Sequence, residues 1–219
     1  MKKFLCGLLA AAALVALSAC SDTDALKASV SEYRSNIYMG TQESYSVFAA
    51  WSTREYPYVS DGNVGEMTDL FEVTLSAADN TVTYSVEYTI DGKKYSSQLS
   101  FDSVRMVHTC SLSLPEPKES EITFKILGEE KETLAEVCAA SIKSEEVLSL
   151  EKLLAAVQES EKDRIASMMR GSEFCGEIYV RLLYENEQCY YYVGLIDRDG
   201  GCYSLLADAV TGEIVATRE

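Results

Sequence analysis

Basic residues are scarce in this chain of 219 residues: 19 Lys and Arg stand against 35 Asp and Glu, for a net charge of −16. That balance argues against nucleic acid as a partner, because such binding is dominated by cations that neutralise phosphates. It also opposes adsorption to an anionic bilayer surface, which calls for a polybasic patch. Histidine occurs once, at His108. No Cys-x-x-Cys knuckle is present, so the usual zinc-site spacing is missing. Walker, dinucleotide-binding and nucleophile-elbow patterns are absent as well. Beyond the N-terminus no run is apolar enough to cross a bilayer.

What the N-terminus does contain is an address. Lys2 and Lys3 precede an apolar run from Phe4 to Leu17 with no acidic residue, the basic and apolar regions of an export signal. The run falls short of the roughly 20 apolar residues a spanning helix needs. It ends in Leu17-Ser18-Ala19-Cys20, which resembles the lipobox of bacterial lipoproteins. The resemblance implies that residues 1–19 are a cleaved signal peptide and that Cys20 receives the lipid. It therefore implies a membrane partner through Cys20, at the cell membrane on its extracytoplasmic side. Two acyl chains, at about 0.8 kcal/mol per buried methylene, suffice for stable anchoring.

Removing nineteen residues from 219 leaves 200, enough for one large domain or two small ones. Lys2 and Lys3 leave with the signal, so 17 basic residues then face 35 acidic ones and the body is expected to stand off the membrane. With Cys6 removed and Cys20 lipidated, Cys110, Cys138, Cys175, Cys189 and Cys202 remain. Five cannot all pair within one chain, and their spacing is not that of a disulfide framework. They read as mostly reduced, half-buried small residues.

Leu26, Val30, Tyr33 and Ile37 recur at spacings of four, three and four, which predicts a short amphipathic helix over Ser21 to Asn36. From Tyr45 to about Ile142 the period becomes two. Strands are expected at Ser46–Thr53, Thr68–Ser76, Thr81–Ile90, Lys94–Phe101, Val104–Leu112, Ile122–Leu127 and Thr133–Ser141. Asp61-Gly62-Asn63, Asp79-Asn80, Asp91-Gly92 and the segment from Pro115 to Pro117 separate them, with Asp91-Gly92 the clearest hairpin turn. About seven short strands in about 100 residues favour an immunoglobulin-like antiparallel β-sandwich, without the Cys-Trp-Cys signature of antibody domains.

A second helical stretch begins at Ser144, with Val147, Leu150, Leu154, Val157, Ile165 and Met168 on one face and Gly171 as its expected C-cap. Three strands follow at Glu177–Tyr184, Cys189–Asp197 and Tyr203–Asp208. The chain closes on Asp208-Ala209-Val210-Thr211-Gly212-Glu213-Ile214-Val215. A helix, an antiparallel meander and this final turn resemble the PepSY-type module of bacterial exported proteins. The whole layout is similar to uncharacterised lipoproteins of Firmicutes.

Each candidate chemistry has a plain structural reading beside it. His108 and Cys110 share one face of a strand, but side chains at i and i+2 stand side by side and no oxyanion turn is near. His108 therefore reads as an ordinary strand histidine. Asp197-Arg198-Asp199-Gly200 opens like a calcium loop, yet Asp208 occupies the position of the bidentate Glu and apolar residues intervene, so a hairpin turn is the simpler reading. The acidic runs Glu129-Glu130 with Glu132, and Glu159 with Glu161 and Asp163, read as solvated faces. Tyrosine is abundant, with 14 copies, and Tyr190-Tyr191-Tyr192 falls in the middle strand of the C-terminal sheet. Alternate rings must face opposite sides, so one set packs on the helix while the other forms a candidate binding face.

The sequence thus predicts a mainly β chain with an α+β module: signal 1–19, anchor and short helix 20–43, β-sandwich 44–142, and a helix plus three-stranded antiparallel sheet over 143–219. The expected role is a membrane-tethered binding or accessory protein with a protein or peptide partner in the envelope. The alternatives are an enzyme or protease inhibitor acting through the C-terminal module, and a structural envelope component. No pattern calls for a cofactor, a metal or a catalytic residue.

Overall fold

Asp91 and Gly92 both adopt positive φ, 49° and 73°, the conformation that lets two residues reverse a twisted strand pair. Ile90 accordingly pairs with Lys93 across the turn. The computed structural model describes residues 23–59 and 61–219. The signal segment and Cys20 lie outside the described residues.

Helix α1 (residues 23–28) leads into the strands β1 (Val30–Gln42), β2 (Tyr45–Glu55), β3 (Met67–Ser76), β4 (Ser85–Ile90) and β5 (Lys93–Gln98). Next come β6 (Ser100–Asp102), β7 (Val107–Leu112), β8 (Glu121–Leu127) and β9 (Thr133–Ser141). Two helices follow, α2 (Leu150–Ser160) and α3 (Lys162–Ser167), then the short pair β10 (Met169–Arg170) and β11 (Glu173–Phe174). The chain finishes with β12 (Gly176–Glu185), β13 (Gln188–Asp197), β14 (Cys202–Asp208) and β15 (Ile214–Arg218).

The fold is mainly antiparallel β, a large and nearly closed sheet with few helices. One path through its 13 strands runs β15-β14-β13-β12-β1-β2-β3-β7-β6. A second leaves β1 through β9 and continues β8-β4-β5. β1 is the fork: its first half lies parallel to β12, Tyr38 and Met39 further on pair antiparallel with β9, and β2 runs along its other edge. The ends of the two branches meet where Leu99 alone joins β5 to β6, its N–H donating to Tyr84 O at 2.9 Å.

Two cores result. The first fills the curled part of the sheet and centres on Tyr38, Phe71, Tyr88 and Phe124, whose neighbouring ring centroids lie 5.2 to 6.4 Å apart. In the second, Leu153, Leu154 and Val157 of α2 pack on Ile178, Val180, Leu182, Tyr191, Val193 and Leu205. Each such side chain contributes about 1.5–3 kcal/mol by leaving water, enough to hold α2 although it makes only three turns. Ser149 caps α2, its side chain accepting from the Lys152 N–H at 3.4 Å. Cys110, Cys138, Cys175, Cys189 and Cys202 are all free thiols.

Several expectations are corrected. The helix expected over Ser21 to Asn36 stops at residue 28, and Val30 onward is strand. Ser29 closes that helix, its hydroxyl donating to Ala25 O at 2.9 Å, and the Val, Ile and Tyr residues that follow suit a strand hydrogen-bonded on both edges. Register shifts between Val30 and Glu32 and between Arg34 and Asn36 break the period of two, which is why the apolar spacing resembles a helical face. The expected long helix is two, divided at Glu161, and Gly171 does not cap either. Gly171 instead takes φ 66° in the turn between β10 and β11. The C-terminal meander has a fourth strand, β15, and is not a separate sheet, because β12 continues into β1.

Candidate functional site

Strand alternation sorts the three consecutive tyrosines of β13. Tyr191 is fully buried in the second core and its hydroxyl donates to Leu148 O at 2.9 Å. Burial and the neighbouring Tyr33 push its phenol well above the ordinary range, so it is a neutral core residue. Tyr190 and Tyr192 face the other way and are half-buried. Of the three residues predicted for a binding face, only these two can belong to one that faces solvent.

Tyr192 is the middle of a connected set on that outward face. Its hydroxyl donates to Ser204 Oγ on β14 at 2.9 Å and lies 3.4 Å from the hydroxyl of Tyr179 on β12. The two rings are tilted with centroids 5.6 Å apart. Tyr179 lies over Gly194, where any Cβ would fall inside its ring, so a glycine is required for this seat. On its far side the Arg181 guanidinium sits 4.9 Å from the ring centre, a cation–π contact. Arg181 then reaches Glu32 on β1, Nε donating to Oε1 at 2.9 Å and Nη2 to Oε2 at 2.6 Å. The hydrogen bonds to Glu32 hold the Arg181 cation above its ordinary range. Cys202 Sγ, 3.5 Å from both the Tyr179 and Ser204 oxygens, completes the row.

Sequence reasoning missed Glu32, Tyr179, Arg181 and Ser204. The signal available was parity: Tyr179 and Arg181 alternate on β12 as Tyr190 and Tyr192 do on β13, and Arg181 pairs with Tyr192 in register. Glu32 could not be placed without the parallel pairing of β1 with β12.

The remaining candidates lie apart from this face. His108 is buried between the rings of Tyr84 and Phe101, at 4.8 and 4.9 Å, and its Nε2 has no hydrogen-bond partner. Burial pushes the Cys110 thiol up to about 11, so it is protonated at neutral pH and a poor nucleophile. Asp197 Oδ1 accepts the amides of Asp199 and Gly201 at 2.9 and 2.8 Å, which makes the Asp197–Gly201 segment a hairpin turn. Asp208 does the same for the final turn, accepting from Val210 N at 2.9 Å and Thr211 N at 2.7 Å. An open groove of about 600 Å³ lies at the end of α3, lined by Arg164, Met168, Arg170, Cys175, Arg198 and Tyr203 among others. Two of its arginines are matched: Arg164 pairs with Glu219 and stacks on Tyr203, and Arg198 pairs with Glu173. Among the described residues no helix is long and apolar enough to cross a membrane. Comparison with protein-family models and with curated proteins finds no match.

Proposed function

We propose that this is a membrane-tethered extracytoplasmic lipoprotein, anchored through Cys20, which works as a binding or accessory protein through the outward face of its C-terminal sheet. The observation that supports a binding role is the face itself: Tyr190 and Tyr192, both half-buried, lie on the outward side of the four-stranded sheet, where Tyr192 packs on the buried Tyr179 and Arg181 lies against the Tyr179 ring. Tyrosine and arginine are residues that interfaces favour, tyrosine because it offers apolar area and a polar tip with little entropy lost on binding. The first lobe is read as an immunoglobulin-like sandwich serving as the stand that carries this face. Support for the layering comes from Phe71 of β3 and Phe124 of β8, which stack across the core 6.4 Å apart and 11° from parallel. The PepSY likeness of the helix and meander agrees with an accessory role and adds no chemistry.

Pull-down from the native envelope tests the binding role. Tyr190→Ala and Tyr192→Ala are expected to fold normally and lose the partner, because truncating an interface aromatic costs about 2 kcal/mol or more in binding. Stable variants with full partner recovery would refute the role of this face and leave the module as a spacer.

A further inference from the structure

Three arginines from three adjacent strands share the outward face: Arg54 on β2, Arg34 on β1 and Arg181 on β12. Arg34 stands directly opposite Arg181 in the parallel ladder, and Arg54 stands opposite Glu32 in the antiparallel one. Glu32 lies among them, and Arg181 donates to both of its oxygens; Glu177, fully buried, stands on the same face of β12. Among the described residues Arg34 and Arg54 have no ion-pair partner, and Arg54 Nε is buried without a hydrogen bond. The other carboxylate that Arg34 senses, Glu72 on β3, is engaged by Arg105 at 3.8 Å. Burial, aggravated by the Arg181 and Arg105 cations, pushes the Arg34 guanidinium below its ordinary range.

This is an expensive arrangement in a chain that has carboxylates to spare, 35 against 19 basic residues. Like charges directly opposite one another in a sheet are destabilising, and half-buried cations without counter-charge are more so. We propose that Arg34, Arg54 and Arg181 form a binding site for an oxyanion, a carboxylate or phosphate group of the ligand, with the Tyr179 and Tyr192 rings flanking it. Guanidinium forks match both groups in bidentate fashion, and they stay charged across the physiological range. The site leaves one half of the Glu32–Arg181 pair in place as a support: Glu32 fixes the Arg181 fork, and the incoming anion supplies the charge that Arg34 and Arg54 lack.

The proposal rests on the reading of this face as the contact surface and names the chemistry it recognises. It is tested on the purified full chain in non-ionic detergent, titrated with inorganic phosphate and with citrate at constant ionic strength, with chloride as control. Expected are saturable heats of binding and a rise in Tm with at least one of the two oxyanions and not with chloride, since a ligand of the native state raises stability. Tighter binding of phosphate than of citrate assigns the group to phosphate, and the reverse order assigns it to carboxylate. Arg34→Gln and Arg54→Gln should each weaken the binding at least tenfold, and Arg34→Lys should fall between Arg34→Gln and the unsubstituted chain. Without anion, Arg34→Gln should keep or raise Tm, where an arginine serving only structure would lower it. Absence of saturable binding by either oxyanion, or binding untouched by both Gln variants, would overturn the proposal. Anion binding that survives while Tyr190→Ala and Tyr192→Ala retain the envelope partner upholds the anion site and refutes only the partner face.

Discussion

Glu32 and Arg181 lie 149 residues apart in the chain and are joined in the sheet by two hydrogen bonds of 2.9 and 2.6 Å. The pair ties the strand that begins the body to the first strand of the C-terminal meander, at the seam where β1 and β12 run parallel. Glu32 keeps only 6% of its side-chain surface and Arg181 keeps 35%. Breaking a fully buried pair costs about 3–5 kcal/mol, and solvent at Arg181 reduces that, so Arg181→Met should lose about 2–3 kcal/mol in urea unfolding. The double variant Glu32→Met/Arg181→Met should regain part of the loss, since neither member of the pair is left without the other, while Arg34 and Arg54 lose the charge of Glu32. A single variant within 0.5 kcal/mol of the parent, on the order of a neutral surface change, would show that the seam does not depend on this pair.

Acid should weaken the fold through His108. Burial holds its imidazole below the ordinary 6.5, while the unfolded chain keeps that value. The unfolded state therefore takes up the proton first as pH falls. Stability from this residue is complete above pH 6.5 and declines below it until the folded pKa is passed. Urea midpoints measured from pH 8 to pH 5 should fall, and His108→Leu should flatten that slope. An equal slope in both proteins would place the acid sensitivity elsewhere.

Tyr191 and Tyr190 are neighbours in sequence with opposite expected phenotypes. Tyr191→Ala opens a cavity beneath α2 and should cost about 3–5 kcal/mol. Tyr191→Phe loses the hydroxyl's hydrogen bonds to Leu148 O and to Tyr33 and should cost about 1–2 kcal/mol. Tyr190→Ala, on the half-exposed side, should stay within about 1 kcal/mol of the parent. Chemical denaturation of the three variants checks the order, and a stable Tyr191→Ala would contradict the placement of the second core.

Where local chemistry decides the backbone, the strands could be read directly. Thr133 to Ser141 is the expected strand residue for residue, and Asp91-Gly92 makes the expected turn. β1 was not legible as a strand, because its register shifts bring Val30 and Ile37 into the same core although they are seven residues apart. β15 gave no signal either: Val215 to Arg218 are exposed, so they lack the alternation a half-buried strand shows. Alternation alone separated Tyr191 from Tyr190 and Tyr192. The arginine group was out of reach, since Arg34, Arg54 and Arg181 meet only through the parallel pairing of β1 with a strand that returns after α2 and α3.

Attachment to a membrane through Cys20 is read by metabolic labelling with a radioactive fatty acid in cells expressing the chain or its Cys20→Ala variant. Label is expected on the unsubstituted protein, which should fractionate with membranes. The variant should appear as unlabelled, unprocessed precursor, because the proposed anchor needs the Cys20 thiol for its thioether. Label retained by Cys20→Ala, or an unsubstituted protein free of label, would contradict it.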